Sequence, residues 1–100
     1  MTTESGRIRV VLFWDGDAVV AQALEHDICA QGKDLDEAQS NFMLALDLDR
    51  RMGMKLTGKP FGDIGPAPRH FFDMWEKRSR KTASTHHTVD HTEIELALAA

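Results

Sequence analysis

The segment AQALEHDICAQGKDLDEAQSNFMLALDLDRR, residues 21–51, carries the strongest fold signals in the chain. Residues 28–31 form a short strand-like run, and Gly32 after it permits backbone conformations that a β-carbon disfavours. Asp34 occupies the position of a helix N-cap, and Glu37 follows at the spacing from which its side chain can reach back to the cap's own N–H. The next apolar residues recur in steps of three and four, as on one face of a helix: Leu35, Ala38, Phe42, Ala45 and Leu46. The segment therefore predicts a strand, a turn and an amphipathic helix from Leu35 to Met52, with Gly53 just beyond its end.

Upstream of this segment, the sequence predicts two more strands. Residues 7–14 (RIRVVLFW) are rich in β-branched and aromatic side chains. The Asp15-Gly16-Asp17 sequence is typical of a tight hairpin turn, after which residues 18–24 return antiparallel. One face of the first strand is expected to form the core: Ile8, Val10, Leu12 and Trp14. Residues 7–53 are thus predicted to form a β-β-β-α unit.

The second half of the chain is less regular. Residues 54–67 contain three glycines and are predicted to be a Pro/Gly loop, and residues 68–81 a second, aromatic helix. Residues 82–91 are expected to be a polar linker. Residues 92–99 (TEIELALA) alternate and predict a C-terminal strand, with a helix as the alternative because Glu, Leu and Ala favour helices. The expected fold is one α+β domain over residues 1–100, with a three- to four-stranded antiparallel sheet backed by the long helix and residues 1–6 frayed.

Composition narrows the classes of function. The net charge of −4 argues against a protein that coats nucleic acid. The single cysteine, Cys29, is expected to be reduced and buried, as in a cytosolic protein. No apolar run approaches the length of about 18 residues that spans a bilayer, and the first ten residues lack the apolar core of a signal peptide. We therefore expect a cytoplasmic protein with no membrane partner.

The order and spacing of several short motifs resemble the HicB antitoxin family over about residues 7–51. The motifs are DGD at 15–17, VAQALE at 20–25, DICAQG at 27–32, DLDEA at 34–38, Asn41 and the Ala45-Leu46 pair. The resemblance implies a small α+β domain similar to a catalytically inactive nuclease fold. It also implies a type II toxin-antitoxin function, in which the protein covers the active site of a small basic toxin that cuts mRNA.

The chain differs from this family after Gly53. Many HicB proteins carry a C-terminal helix-turn-helix or ribbon-helix-helix segment that binds their own promoter. Here the predicted elements are one aromatic helix and one strand, with no second helix for a helix-turn-helix.

We predict no catalytic residues, no cofactor and no metal site. The sequence contains no evident nucleophile–base pair and no phosphate-binding glycine loop. Acidic and histidine side chains at the predicted turns could suit a metal-dependent nuclease, but these residue types are also common in turns: Asp15, Asp17, Glu25, His26 and Asp27. Three histidines in the polar linker have no fixed geometry for a ligand set: His86, His87 and His91.

Two kinds of partner remain open. A protein partner could contact Phe61, Phe71 and Trp75. In the alternative, the aromatic side chains of the second helix, Phe71, Phe72 and Trp75, pack on Phe61, Met52 and the first helix. An acidic set favours a basic protein: Asp34, Asp36, Glu37, Asp47 and Asp49. The alternative function is an orphan HicB-like domain that binds nucleic acid through Lys77, Arg78, Arg80 and Lys81, although cations at a helix end also stabilise the helix.

We also expect a homodimer or a higher homo-oligomer. An open antiparallel sheet leaves edge strands with unpaired backbone groups, and residues 92–99 could pair across such an interface. The apolar stripe of the first helix is also wider than one sheet requires.

Overall fold

The computed structural model describes residues 6–99, so the expected fraying of residues 1–5 lies outside the described part. The elements, in chain order, are β1 (Arg7–Asp15), β2 (Ala18–Ala23), β3 (Cys29–Gly32), α1 (Leu35–Thr57), α2 (Arg69–Glu76), β4 (Thr85–Val89) and β5 (Thr92–Leu98). The strands form one sheet in the order β3-β2-β1-β5-β4. The α+β class and the antiparallel β1-β2-β3 meander are confirmed.

The prediction of a three- to four-stranded antiparallel sheet is wrong, because the sheet has five strands and is mixed. β5 is a strand, as predicted, but it runs parallel to β1, with Ile8 level with Ile94. It lies between β1 and β4, so it is not an edge strand and cannot pair across a dimer interface. β4 falls in the predicted polar linker and pairs antiparallel with β5. Its polar sequence THHTV gave no strand signal because four of its five side chains are exposed at the sheet edge.

The helix α1 ends later than predicted. It continues to Thr57 and is terminated by Gly58 in the left-handed conformation, whose N–H bonds the carbonyl oxygen of Met54. Gly53 is a buried residue within the helix rather than its end. A β-carbon there would lie 2.5 Å from the backbone nitrogens of Phe61 and Gly62, so the glycine permits the following loop to approach the helix.

The start of α1 matches the sequence closely. The Asp34 side chain accepts a 2.8 Å hydrogen bond from the Glu37 N–H. The Glu37 carboxylate accepts one from the Lys33 N–H at 2.9 Å, one residue before the predicted donor. Both bonds satisfy backbone donors that the helix cannot satisfy itself.

The helix α2 is shorter than the predicted 68–81. It ends at Glu76 because the following chain pairs with the end of the sheet. The backbone of Arg78 forms an isolated antiparallel β-bridge with Ala99, and the Ser79 N–H donates a hydrogen bond to the Leu98 carbonyl oxygen at 2.8 Å. Residues 77–81 are therefore not the last turn of a helix.

The main core lies between α1 and one face of the sheet. Phe42 is fully buried there against three side chains of β1 and two of β5: Ile8, Val10, Leu12, Ile94 and Leu96. Trp14 was expected on this face but is 60% exposed. It lies next to the β1–β2 turn, at the end of the strand.

A second, smaller core covers the opposite face of the sheet. Trp75 of α2 is buried there with Val11, Leu24 and Ala97. Phe71 and Phe72 are half-buried against the same cluster. The predicted packing of these aromatic residues on Phe61, Met52 and α1 is therefore wrong, since the sheet separates them from the main core that contains Phe61.

Candidate functional site

Carboxylates gather at one end of the molecule, where the β1–β2 turn meets the start of α1. Asp15 and Asp17 line an open concavity together with Glu37 and Lys33. Pairing of β2 with β3 produces this arrangement, because it sets Val19 level with the glycine that precedes α1. Two further exposed carboxylates belong to the same helix start, so we define the acidic end as Asp15, Asp17, Asp34, Asp36 and Glu37.

Trp14 adds a large apolar side chain next to these acids. It directly precedes Asp15 and is level with Val19 on β2. Its exposed fraction of 60% is unusual for tryptophan, which generally buries most of its surface. The alternation of apolar residues along β1 predicted that Trp14 is buried. It is exposed because it lies at the end of the strand, next to the β1–β2 turn.

The turn residues considered as metal ligands do not stay together. Asp15 and Asp17 lie at the acidic end, whereas Glu25 is held by the Arg9 guanidinium at 2.6 Å. Asp27 accepts a hydrogen bond from Gln22 at 2.9 Å, and the His26 ring stacks on Phe61 at 4.4 Å. Within residues 6–99 no group of three or more His, Cys, Asp or Glu residues is placed to hold a metal ion.

The three downstream histidines are also separated. His86 and His87 are consecutive on β4 and therefore project to opposite faces, while His91 lies in the β4–β5 turn with a positive φ of 63°. His87 lies beside the first half of α1, near Asp36 and Ser40.

Cys29 is exposed, so the prediction of a buried cysteine is wrong. It lies on β3, the edge strand, level with Gln22. The short α2 packs against β1 and does not extend over this edge, which leaves the thiol side open.

The aromatic partner residues do not form one surface. Phe61 is only 6% exposed in the main core, and Trp75 only 3% exposed on the other side of the sheet. Phe71 is half-buried and stacks on Phe13 at 5.9 Å. Phe61 and Trp75 therefore lie in two separate cores on opposite faces of the sheet, and the three residues form no shared docking surface.

The basic segment, residues 77–81, is partly occupied by internal contacts. The Arg78 guanidinium lies 4.4 Å from the Trp75 ring and donates to the Trp75 carbonyl oxygen at 3.1 Å. Lys77, Arg80 and Lys81 are exposed and form no ion pair with the described residues 6–99. These three side chains are the available cations of this segment.

The helix α1 carries four exposed large apolar side chains, which we call the outer stripe. They are spaced four residues apart and are each more than half exposed: Leu44 (66%), Leu48 (57%), Met52 (51%) and Leu56 (72%). Leu44 and Leu48 point away from the sheet, whereas Met52 and Leu56 line a concavity with the loop that follows the helix. Contiguous exposed apolar surface of this kind marks a contact site more often than a solvated face. The width of the predicted helix stripe indicated a second contact, but α2 does not supply it.

A small apolar recess of about 130 Å³ lies between α1 and the β4–β5 hairpin. Arg50 borders it and bonds Asp47 at 2.9 Å and Asp90 at 2.7 Å. Two carboxylates pair with the terminal nitrogens of this guanidinium, while its Nε is buried and has no hydrogen-bond partner among the described residues 6–99.

No family model, curated protein or solved structure matches the chain. Within residues 6–99 no helix is both long enough and apolar enough to cross a membrane. The fold and the surface features define an α+β domain with a charged end and an exposed helix face. The likeness to HicB proteins stays a resemblance carried by the motifs of residues 7–51.

Proposed function

We propose that this protein is a non-catalytic, cytoplasmic protein-binding regulator that resembles an antitoxin and blocks a small basic ribonuclease toxin. The observation that carries the proposal is the acidic end, where Asp15, Asp17 and Glu37 surround one concavity. The exposed Trp14 directly precedes Asp15 in the chain.

Charge supports a basic partner. Asp15, Asp17 and Asp36 are exposed and form no ion pair with the residues from 6 to 99. Carboxylates of this kind attract a positively charged protein and raise its association rate. A toxin that cuts mRNA holds phosphates with cations, and the acidic end would compete for the same cations.

Trp14 supplies the apolar part of such an interface. Tryptophan is enriched among the residues that dominate binding energy, and those residues lie inside a ring of weaker polar contacts. Trp14 directly precedes Asp15 at the end of β1, so the exposed ring and the carboxylates lie at the same end of the sheet.

Binding to a small basic protein encoded beside this chain tests the proposal. The protein should restore growth when that neighbour is induced, and the pure protein should inhibit the neighbour's cleavage of RNA. Combined Asp15→Asn and Asp17→Asn substitutions should weaken binding about tenfold, mainly through the association rate. Trp14→Ala should weaken it by about 2 kcal/mol.

A matched pair of substitutions controls for charge alone. Asp63 and Asp73 are exposed outside the acidic end, and Asp63→Asn with Asp73→Asn makes the same change of net charge. This control should bind like the unaltered chain. Equal binding by both pairs of variants, or the absence of any co-purifying small protein, would refute the proposed surface. RNA cleavage by the pure protein with Mg²⁺ or Mn²⁺, abolished by Asp15→Asn, would refute the non-catalytic function.

The exposure of Lys77, Arg80 and Lys81 supports the second candidate, nucleic-acid binding through the basic segment. A complex held by phosphate contacts weakens steeply as salt rises. Replacing the three cations with glutamine should then reduce both the affinity and its salt dependence. Binding that is insensitive to salt excludes this candidate.

A further inference from the structure

The outward face of α1 has the residue spacing of a helix-pairing seam. Six positions follow steps of four and three residues: Glu37, Asn41, Leu44, Leu48, Arg51 and Lys55. This is the spacing by which one helix presents a continuous line to another helix. The buried residues of α1 lie on the other side: Ala38, Phe42, Leu46 and Gly53.

The centre of the seam is apolar. Leu44 and Leu48 are 66% and 57% exposed, whereas Met52 and Leu56 turn toward the loop after α1 and line a concavity with Phe61 and Ile64. The helix α2 lies across the sheet, and β4 lies along a flank of α1, so none of the described elements from residue 6 to residue 99 covers Leu44 and Leu48. Burying them would remove a large apolar area from water.

The charges of the seam depend on direction. Glu37 lies toward the start of α1, where its carboxylate also accepts the hydrogen bond from the Lys33 N–H, and Lys55 lies toward the end of the helix. Arg51 already pairs with Asp47 at 2.8 Å, so Lys55 is the cation of the seam that pairs with none of the described residues 6–99. Glu37 is seven residues before Leu44, and Lys55 is seven residues after Leu48, so reversing the helix about the midpoint of the two leucines exchanges the positions of Glu37 and Lys55.

We propose that the occupant of this face is a second copy of the chain, with the two α1 helices packed antiparallel about a two-fold axis between Leu44 and Leu48. Leu44 then lies against Leu48 of the partner subunit, and Glu37 against Lys55 of the partner subunit. Parallel packing would instead set Glu37 against its own copy and Lys55 against its own copy, which repels.

Helix length and dipole direction agree with this arrangement. α1 has 23 residues, so it is about 35 Å long at roughly 1.5 Å per residue. Antiparallel neighbours also align the opposite ends of their dipoles. Glu37 belongs both to the acidic end and to the seam, whereas Asp15, Asp17 and Trp14 lie outside the seam. Because dimerisation is measured on the chain alone, its failure is distinguishable from a failure of toxin binding.

Light scattering of the full chain at tens of micromolar tests the dimer. The expected mass is twice the chain mass of 11.2 kDa. Leu48→Glu should raise the dimer dissociation constant at least about a hundredfold, because it places two charges in the apolar centre. Met54→Glu is the matched control, since Met54 is 48% exposed on α1 but lies off the seam, and it should stay dimeric. A monomeric unaltered chain, or a dimer that Leu48→Glu leaves unchanged, would overturn the proposal.

Charge reversal tests the direction of packing. Lys55→Glu should weaken the dimer about tenfold, and adding Glu37→Lys should restore most of that loss, because each new lysine faces a new glutamate. Glu37→Lys alone is the reference for the double variant, since it loses the same hydrogen bond from the Lys33 N–H and should also weaken the dimer. Lys59→Glu makes the same charge change beyond the helix and should have little effect. Circular dichroism checks that each variant keeps the helix. A double variant that stays as weak as Lys55→Glu alone would exclude the antiparallel arrangement.

Discussion

The two faces of the sheet are covered by helices that differ in length and in how they are held. The helix α1 has 23 residues, a side-chain cap at Asp34 and an apolar core against the sheet around Phe42, with one hydrogen bond from Asn41 to the Gln31 carbonyl oxygen at its edge. The helix α2 has 8 residues, begins at Pro68 without a side-chain cap, and depends on Trp75. Val10 and Val11 are consecutive on β1, so they project to opposite faces of the sheet, and both are fully buried. Both faces are therefore covered at this point, one by the long helix and the other by the short one.

Ion pairs complete the face covered by α2. Arg7 donates to Glu95 at 2.7 Å, and Arg9 donates to Glu25 at 2.6 Å while lying 5.5 Å from the centre of the Phe72 ring. The Glu95 carboxylate also accepts a 3.0 Å bond from the Ser84 hydroxyl. Where the short helix ends, charged groups take the place of apolar packing, so the two faces should respond differently to substitution and to pH.

The largest expected effect comes from the face under α1. Phe42→Ala should lower the free energy of unfolding by about 4 kcal/mol, because it removes a fully buried ring and leaves a cavity among side chains from three elements. Urea denaturation measures the loss. Met54→Ala on the exposed side of the same helix should change stability by less than about 0.5 kcal/mol. A loss below about 2 kcal/mol for Phe42→Ala would mean that this face is not the dominant core.

A smaller loss is expected from the face under α2. Trp75→Ala should lower the free energy of unfolding by about 3 kcal/mol, at the low end for a buried aromatic residue, because a short helix can detach without unfolding the sheet. Hydrogen exchange should then show fast exchange in α2 while the amides of α1 and β1 stay protected. Simultaneous loss of protection in both helices would show that the faces form one cooperative unit.

The smallest expected effect is the loss of stability at acid pH that comes from the Glu95 ion pair. Burial raises the pKa of Glu95, but the hydrogen bonds from Arg7 and Ser84 outweigh it and hold the pKa below its ordinary value of 4.5. The group therefore contributes stability above its unfolded pKa and loses it as pH falls through the lower folded pKa. The contribution should stay below about 1 kcal/mol, because the Arg7 side chain is 57% exposed.

Glu95→Gln isolates this contribution. The variant should show a weaker loss of stability between neutral pH and acid than the unaltered chain, as measured by thermal melting across pH. Identical acid dependence in both proteins would mean that the ion pair does not stabilise the α2 face.

Local signals explain which elements could be predicted. The Asp34 cap, the Asp15-Gly16-Asp17 turn and the alternation of residues 92–98 each act over a few residues, and each appears in the structure. The edge strand β4 gave no such signal, and on the other edge strand, β3, the burial of Cys29 was predicted wrongly. β4 is polar because it is exposed, and Cys29 is apolar in character but lies where no helix covers it.

The candidate surfaces also combine features that local sequence predicted with features that only the folded chain produces. The sequence identified each carboxylate of the acidic end separately, as a turn residue or a helix-start residue. Only the pairing of β2 with β3 brings Asp15, Asp17 and Glu37 together around one concavity. The exposure of Trp14 followed from no local pattern, since alternation placed it with Ile8, Val10 and Leu12.

The sequence by itself determined the α+β class, the β1-β2-β3 meander and the start of α1, because hydrophobic period, turn residues and caps act between near neighbours. Only the tertiary structure decided that β5 pairs parallel to β1, that α2 crosses to the other face, and that Gly53 lies inside α1. Those outcomes depend on contacts between residues far apart in the chain, such as the bond from Ser79 to Leu98 and the approach of Phe61 to Gly53.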